Sequence, residues 1–290
     1  ELTVEAAISE WLKQLSPLTQ KNYCAGMNRL AEHGLLQPEM TLQQFALINH
    51  DAVVDKIKLV DGWSECTRQA RAAAYISFSR FLNRQTEGAI PRITPCKEGA
   101  NKTFFRVREK VATQAMTQAQ WLAFFKELQL INQRDCLIAK VILQGGKRVQ
   151  EVLSLIVERI DWEQREITFN QSKMRGMCKE TVITYPSTVM EELREYVGSR
   201  AGLVFITRTW KALPLRQLAN TFEKAGQGAG IPFKVTPHVL RASAVTYLKQ
   251  QGFSDSDIMR VTGHASSEMV YAYDKGSRAN NASRKVSLVA

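Results

Sequence analysis

Two pairs of side chains in the second half of the chain have the types and spacing needed to hold a phosphate. His238 and Arg241, in TPHVLRASAVTYL, are three residues apart and share one face of a helix that a Thr-Pro pair opens. The first turn of a helix favours an anion, because its backbone N–H groups are free. Arg148 follows a Gly-Gly break in LQGGKRVQEVLSL, with Glu151 three residues later. Taken alone, a capping or core histidine explains His238 equally well, and a solvated Arg–Glu pair is the favoured explanation for Arg148 and Glu151.

A nucleophile is available in GHASSEMVYAYDKG, which contains His264, Tyr271 and Tyr273. A tyrosine hydroxyl, with an ordinary pKa near 10, attacks a phosphate only when a base takes its proton and cations stabilise the transition state. Two residues apart on a helix, the tyrosines point about 200° away from each other, so both cannot face one phosphate. The stretch alone is also consistent with an amphipathic helix carrying two half-buried aromatic rings.

A third cluster of cations lies in QSKMRGMCK, which contains Lys173, Arg175 and Lys179. The flanking stretches REITFN and ETVITYP are rich in β-branched residues and predict two short strands, so the cations lie on the turn of a hairpin. A solvated charged turn is the ordinary explanation for such a cluster.

The surrounding elements are predicted to be mostly helical, and the chain divides in two. Apolar residues at intervals of three and four predict helices over residues 3–15, 18–34 and 64–85. Residues 87–105 contain prolines and glycines without a period, which is typical of a linker. We therefore predict a mainly α fold with a small β-sheet (α+β), made of a helical domain over 1–90, a linker over 91–112 and a second domain over 113–290.

The charge distribution indicates a polyanionic partner. The net charge is +11, and residues 1–100 carry 11 basic against 11 acidic side chains, so residues 101–290, with 28 against 17, hold the entire excess. A basic domain of this kind is typical of nucleic-acid binding, although a solubility charge is the simpler alternative.

Other features of the composition point to the cytoplasm. No apolar run approaches the roughly 20 residues that cross a bilayer, and no signal sequence opens the chain. The five cysteines are dispersed without a CxxC pair, which argues against disulfides and a zinc site. We expect a cytoplasmic protein without a membrane partner.

Taken in chain order, these segments resemble the motifs of the tyrosine recombinase (phage integrase) family. GGKRVQEVLSL is similar to the family's first-arginine box, QSKMRGMCKETVITYP to its β-hairpin lysine segment, TPHVLRASAVTYL to its HxxR box and TGHASSEMVYAYDK to its GH…Y box. The resemblance covers essentially the whole chain. It implies that residues 1–90 form the core-binding domain and 113–290 the catalytic domain, and that the two form a C-shaped clamp on DNA.

The resemblance implies site-specific cutting and rejoining of DNA through a 3′-phosphotyrosyl intermediate. The family's nucleophile lies nine residues after the GH histidine, which places it at Tyr273 and leaves Tyr271 as a packing aromatic. Arg148 and Arg241 would clamp the non-bridging phosphate oxygens. His238 would act as a base or phosphate ligand.

The remaining roles follow from the same resemblance. His264 would hydrogen-bond the phosphate, and Glu151 would hold Arg148 in place. Lys173 is the predicted general acid for the leaving 5′ oxygen. Because the loop before Lys179 is about two residues longer than the usual spacing, Lys179 or Arg175 is the alternative.

No cofactor or metal is expected, since the sequence shows neither a GxxxxGK[ST] loop nor an acidic cluster with metal-ligand spacing.

The expected partner is double-stranded DNA with an inverted-repeat site, bound by a homotetramer. Whether the free protein is a monomer is left open. The residues predicted to contact DNA are Lys21, Arg68, Arg71, Arg80, Arg175 and Lys179. In the tail, the resemblance implies that Val286, Leu288 and Val289 dock on a neighbouring protomer, with packing on their own domain as the alternative. The alternatives are an integrase-like DNA-binding regulator that does not cleave and a type IB topoisomerase.

Overall fold

The computed structural model describes residues 2–93, 113–171 and 179–273 of the 290-residue chain. Backbone contacts divide the chain into two compact units, Glu1–Val107 and Arg108–Ala290, and this division falls inside the predicted linker.

The described part of the first unit is helical. Side-chain oxygens of Thr3, Thr41, Asn49 and Ser64 each accept a hydrogen bond from the first turn of a helix, so a cap fixes where these helices begin. The helices pack around a core that includes Trp11 and Phe78. Their bounds are α1 Val4–Lys13, α2 Pro17–Glu32, α3 Leu42–Ala46, α4 His50–Lys58 and α5 Glu65–Gln85.

The second unit combines helices with one small sheet. In the described residues, the strands β1 Ile160–Asp161, β2 Glu166–Gln171 and β3 Lys179–Thr184 form an antiparallel sheet in the order β1-β2-β3. The helices are α6 Gln118–Ile131, α7 Gln133–Gly145, α8 Val149–Leu153, α9 Ser187–Val197, α10 Leu215–Gly228, α11 Pro237–Gln250, α12 Asp255–Thr262 and α13 Ser267–Tyr273. The prediction of a mainly α fold with a small β-sheet is confirmed.

The core of the second unit positions the chemistry. Helices α7 and α11 contact each other, and both bury apolar side chains such as Ile138 and Leu240 completely. Burying each such side chain stabilises the fold by about 1.5–3 kcal/mol. The end of α7 leads to Arg148, and α11 carries His238 and Arg241, so this packing sets the distance between the two motifs.

Register in the sheet places the hairpin beside the same core. Phe169 of β2 pairs with Thr181 of β3, and Gln171 pairs with Lys179. The predicted strands are therefore confirmed. The connection between them, residues 172–178, contains Lys173 and Arg175, and both lie outside the described residues.

Candidate active site

Arg148 is held by Glu151 at the start of α8. Gly146 ends α7 with a φ of 53°, and the chain turns there so that Arg148 becomes the N-terminal cap residue of α8. The Arg148 backbone N–H donates to Glu151 Oε2 at 3.1 Å, and Arg148 Nη1 donates to Glu151 Oε1 at 2.9 Å. Glu151 is buried, whereas the Arg148 side chain is 39% exposed. The guanidinium is therefore fixed on one side and accessible on the other.

Arg241 connects two backbone turns of the site by hydrogen bonds. Its side chain is 2% exposed, and its Nη1 donates both to the Gly146 carbonyl and to the Thr262 carbonyl, the latter at 3.0 Å. One of these turns precedes Arg148 and the other precedes His264. A single buried guanidinium thus sets the separation of two motifs that lie over 100 residues apart in the chain.

The turns are closely packed against their neighbours. A Cβ atom on Gly146 would lie 2.6 Å from Thr262 Cγ2, and one on Gly263 would lie 1.4 Å from Gln171 Nε2. Both glycines also have positive φ, so no other residue type fits either position without moving its neighbour.

His264 is buried behind Thr262. The ring is 1% exposed, and its Nδ1 lies 2.6 Å from the Thr262 hydroxyl, which is itself 2.7 Å from the Ile258 carbonyl. Because the hydroxyl donates its one proton to that carbonyl, Nδ1 donates to the hydroxyl and Nε2 is an acceptor. Burial, with Arg241 and Arg148 nearby, lowers the pKa of His264 to about 3, so the ring is neutral at neutral pH.

This depressed pKa predicts loss of stability in acid. The unfolded chain takes up a proton on His264 near pH 6.5, whereas the folded chain resists it down to about pH 3, so stability falls as the pH falls through that window. We expect the melting temperature to drop by roughly 5 °C or more between pH 7 and pH 5. Thermal melts of wild type and His264→Gln measure it, and equal drops in both proteins would contradict the assignment.

His238 lies in the first turn of α11 with its ring at the surface. Partial desolvation and then the charges of Arg241 and Arg148 lower its pKa below the usual value, so near pH 7 the imidazole is neutral. A neutral imidazole beside two arginines can accept a proton, which is what a base acting on a tyrosine must do.

The two tyrosines lie two residues apart in α13. Val270 is buried against Val245 and Ile258 and anchors the helix. Tyr271 is 64% exposed in the single chain, so the structure does not bury it as the packing aromatic that the family's spacing implied. The Tyr273 backbone, three residues after Val270, lies about 60° round the helix from it. The Tyr273 side chain lies outside the described residues.

Lys147 is a residue of this site that the sequence did not single out. The side chain is completely buried, Nζ donates to the Thr181 hydroxyl on β3, and the Phe169 ring centre lies 5.1 Å from Nζ. Burial lowers the pKa of Lys147 to about 7, with Glu151 opposing this effect and Arg241 and Arg148 adding to it. A charged residue directly after the Gly-Gly break was the available signal.

The residues predicted to contact DNA differ in how exposed their side chains are. Lys179 begins β3, and its side chain lies outside the described residues. Lys21 and Arg80 are exposed on helices of the first unit. Arg68 is half-buried and donates to the Val60 carbonyl through Nε at 3.2 Å and Nη2 at 2.9 Å. Arg71 is half-buried as well, with its guanidinium against Gly26.

Within the described residues, no group of three or more histidine, cysteine or acidic side chains is placed to hold a metal ion. No described helix combines the length and apolar character needed to cross a membrane.

Comparison with known proteins identifies the class. Residues 114–279 match the phage integrase family. The virulence plasmid integrase pGP8-D of Chlamydia muridarum (strain MoPn / Nigg) is 50% identical over 286 residues, which cover 97% of this chain and 87% of that protein.

Solved structures with the same fold include a Tn1549 transposon integrase in complex with transposon right end DNA, with a TM-score of 0.69, 14% identity and 98% coverage of both chains. They also include a lambda integrase tetramer bound to a Holliday junction, with a TM-score of 0.61, 17% identity and coverage of 94% of this chain and 78% of that chain.

The fold and these relatives define a tyrosine recombinase, a site-specific enzyme that breaks and rejoins DNA. The match covers more than half of the chain, and the plasmid integrase is similar over nearly all of it, so the chain belongs to the phage integrase family. The prediction of this family is confirmed, and the regulator and topoisomerase alternatives are not favoured.

Proposed function

We propose that this enzyme cuts and rejoins an inverted-repeat DNA site through a covalent 3′-phosphotyrosyl bond to Tyr273. The observation that carries the proposal is the hydrogen-bonded connection of the motifs through Arg241, which contacts the turns leading to Arg148 and to His264. That connection brings Arg148 and Arg241 close enough to His238 and His264 that burial and then their charges lower the pKa of both imidazoles. Fixed cations of this kind stabilise the charge that develops on a phosphodiester under attack.

The protons and bonds of the proposed reaction are exchanged between these residues and the DNA. The Tyr273 hydroxyl gives its proton to His238, and its oxygen forms a bond to phosphorus while the bond to the 5′ oxygen breaks. The 5′ oxygen takes a proton from Lys173, with Lys179 or Arg175 as the alternative cation. Reversal with a new 5′ hydroxyl rejoins the strand, and the phosphotyrosyl bond conserves the energy that rejoining needs.

Arg148, Arg241 and His264 have different roles in the proposed phosphate site. Arg148, held by Glu151 and exposed on its other side, is the better placed of the two arginines for a bidentate phosphate contact. Arg241 also holds the backbone around the phosphate site. His264 accepts at Nε2 while Nδ1 donates to Thr262, so its predicted hydrogen bond to the phosphate requires the proton to move to Nε2.

A nicked suicide substrate tests this proposal. Such a duplex loses a short 5′ fragment after cleavage, so the enzyme remains trapped on the 3′ end as an adduct visible on a denaturing gel. We expect wild type to form this adduct without added metal or ATP. No adduct with the cognate site would contradict the proposal, and efficient relaxation of any supercoiled DNA would favour the topoisomerase alternative.

DNA contact is proposed to come from both units, arranged as a C-shaped clamp over residues 1–90 and 113–290. Of the four cations predicted in the first unit, Lys21 and Arg80 have exposed side chains. Arg68 already donates twice to a carbonyl, so its contribution to DNA binding is smaller. The basic excess of residues 101–290 supplies the rest.

Salt dependence of binding tests these contacts. Lys21→Ala and Arg80→Ala should each reduce the slope of log affinity against log salt by about 1, because each removes one phosphate contact. Fluorescence anisotropy between 50 and 300 mM salt measures the slope. Lys58→Ala is the control, since Lys58 is paired with Asp55 at 2.7 Å, and an equal change there would refute specific contact.

We propose a tetramer on DNA in which the apolar tail residues Val286, Leu288 and Val289 dock on a neighbouring protomer. The fold relative solved as a tetramer on a Holliday junction supports this assembly. An apolar groove of about 620 Å³, bordered by Val182 and Phe253, is a candidate acceptor. Both residues are more than half exposed in the single chain.

Deletion of residues 286–290 should lower recombination between two sites by about tenfold or more, because it removes the proposed coupling between protomers. Binding of one protomer to a half-site should be unchanged, and gel shift measures both the single and the assembled species. Phe253→Asp, on the groove side, should reproduce the defect. Normal assembly by both variants would refute docking in trans.

The relatives named virulence plasmid integrases support plasmid DNA as the substrate. We propose the cytoplasm, where such DNA is replicated, as the site of action.

A further inference from the structure

Lys147 connects the phosphate site to the strand hairpin. It follows the Gly146 carbonyl that Arg241 binds and directly precedes Arg148. Its amine donates to Thr181, which pairs with Phe169 two positions before β2 ends. The residue therefore contacts both the turn that presents Arg148 and the base of the hairpin that carries the proposed general acid.

Burying the Lys147 amine is energetically unfavourable. The amine donates to the Thr181 hydroxyl and lies near an aromatic ring, while Glu151, the carboxylate that favours its charged form, is already bound by Arg148. Burying an incompletely paired charge is unfavourable, whereas a methionine would fill a similar volume at no such cost. The amine is thus poorly explained as a stabilising group, and an explanation must come from its charge.

The groups around the amine determine how that charge responds to DNA. Glu151 on α8 favours the protonated form, and Arg148 and Arg241 disfavour it. Tyr185, whose hydroxyl borders the same space beside Gly145, is neutral because burial raises its pKa well above the usual value. A phosphate bound at the arginines would offset their charges and favour the protonated amine.

We propose that Lys147 is a positioning residue for strand cleavage, which becomes charged when the DNA phosphate binds and then holds the β2–β3 hairpin against the Arg148 turn. The inference rests on the proposed phosphate site. The free protein, with a Lys147 pKa of about 7, is largely neutral there above pH 7.5, so DNA binding is accompanied by uptake of a proton.

Proton uptake gives the first test. Calorimetric titration of the full-length protein with its DNA site at pH 7.5–8, in two buffers of different ionisation enthalpy, counts the protons bound. We expect about half a proton or more for wild type. Lys147→Met should take up fewer protons. Lys140→Met is the control and should match the wild-type uptake, because the Lys140 amine is paired with Glu192 at 2.6 Å. Equal uptake by all three proteins would overturn the proposal.

The pH profile of cleavage gives the second test. The wild-type rate of adduct formation should decline at high pH as Lys147 loses its proton, and Lys147→Met should be about 10- to 100-fold slower and keep only the decline that belongs to the general acid. Thr181→Val, which keeps the amine but removes its acceptor, should be slowed as well. A wild-type rate and profile in Lys147→Met would overturn the inference even though the wild-type adduct still forms.

A merely structural role has its own signature. It would lower the melting temperature of Lys147→Met along with its activity, and it would leave the shape of the pH profile unchanged. That result would also overturn the proposal.

Discussion

Replacing Tyr273 with phenylalanine is expected to abolish the covalent protein–DNA adduct completely, because the change removes the one oxygen that bonds to phosphorus in the proposed reaction. The loss should exceed about 10³-fold, since nothing else in the reaction substitutes for the nucleophile. Trapping on the nicked suicide substrate, followed on a denaturing gel, measures the result. DNA affinity in gel shift should remain within a few-fold of wild type.

Tyr271→Phe is the matched control for that experiment. Tyr271 is two residues away on the same helix and 64% exposed, so losing its hydroxyl removes no buried contact. We expect this variant to form the adduct at close to the wild-type rate. An adduct that persists in Tyr273→Phe and disappears in Tyr271→Phe would reverse the assignment of the nucleophile.

Arg148→Ala and Arg241→Ala should each reduce cleavage on the order of 10³-fold, because each removes a fixed positive charge from the developing phosphate charge. DNA affinity at moderate salt should change little, since many other contacts hold the duplex. The two variants should differ in stability, however. Arg241→Ala leaves the Gly146 and Thr262 carbonyls without that donor, at a cost of roughly 3 kcal/mol.

The variant Arg148→Lys distinguishes an effect on cleavage from an effect on folding. It keeps a cation beside the buried Glu151 but cannot reproduce the planar two-point contact of a guanidinium. We expect a melting temperature near that of wild type together with a large loss of cleavage. Parallel loss of DNA binding and cleavage in Arg148→Lys would show instead that the residue contributes binding affinity alone.

Much of this fold could be predicted because strong local patterns coincide with real elements. The predicted strands REITFN and ETVITYP became β2 and β3, and the spacing of Arg148 and Glu151 correctly indicated a pair on one helix face. Short elements were missed. Helix α3 has five residues and strand β1 has two, and neither contains enough sequence for a period to emerge.

What could not be predicted depends on contacts between distant segments. The burial of Lys147 follows from Thr181 and Phe169, more than 20 residues away, so the local sequence shows a charged residue after the Gly-Gly break but not that it is buried. Tyr271 was expected to pack because the family's spacing assigned the nucleophile to Tyr273, yet Tyr271 is exposed and its neighbour Val270 is buried. Periodicity over seven residues is too short to decide which of two adjacent apolar residues faces the core.

The contact between Gly263 and Gln171 links the end of β2 to the turn that leads to α13. The Gln171 amide occupies the space beside Gly263 that a side chain would need. In the proposed reaction, the hairpin that follows β2 supplies the proton donor and α13 supplies the nucleophile. A substitution at Gly263 would therefore displace the elements on both sides of the proposed chemistry at once.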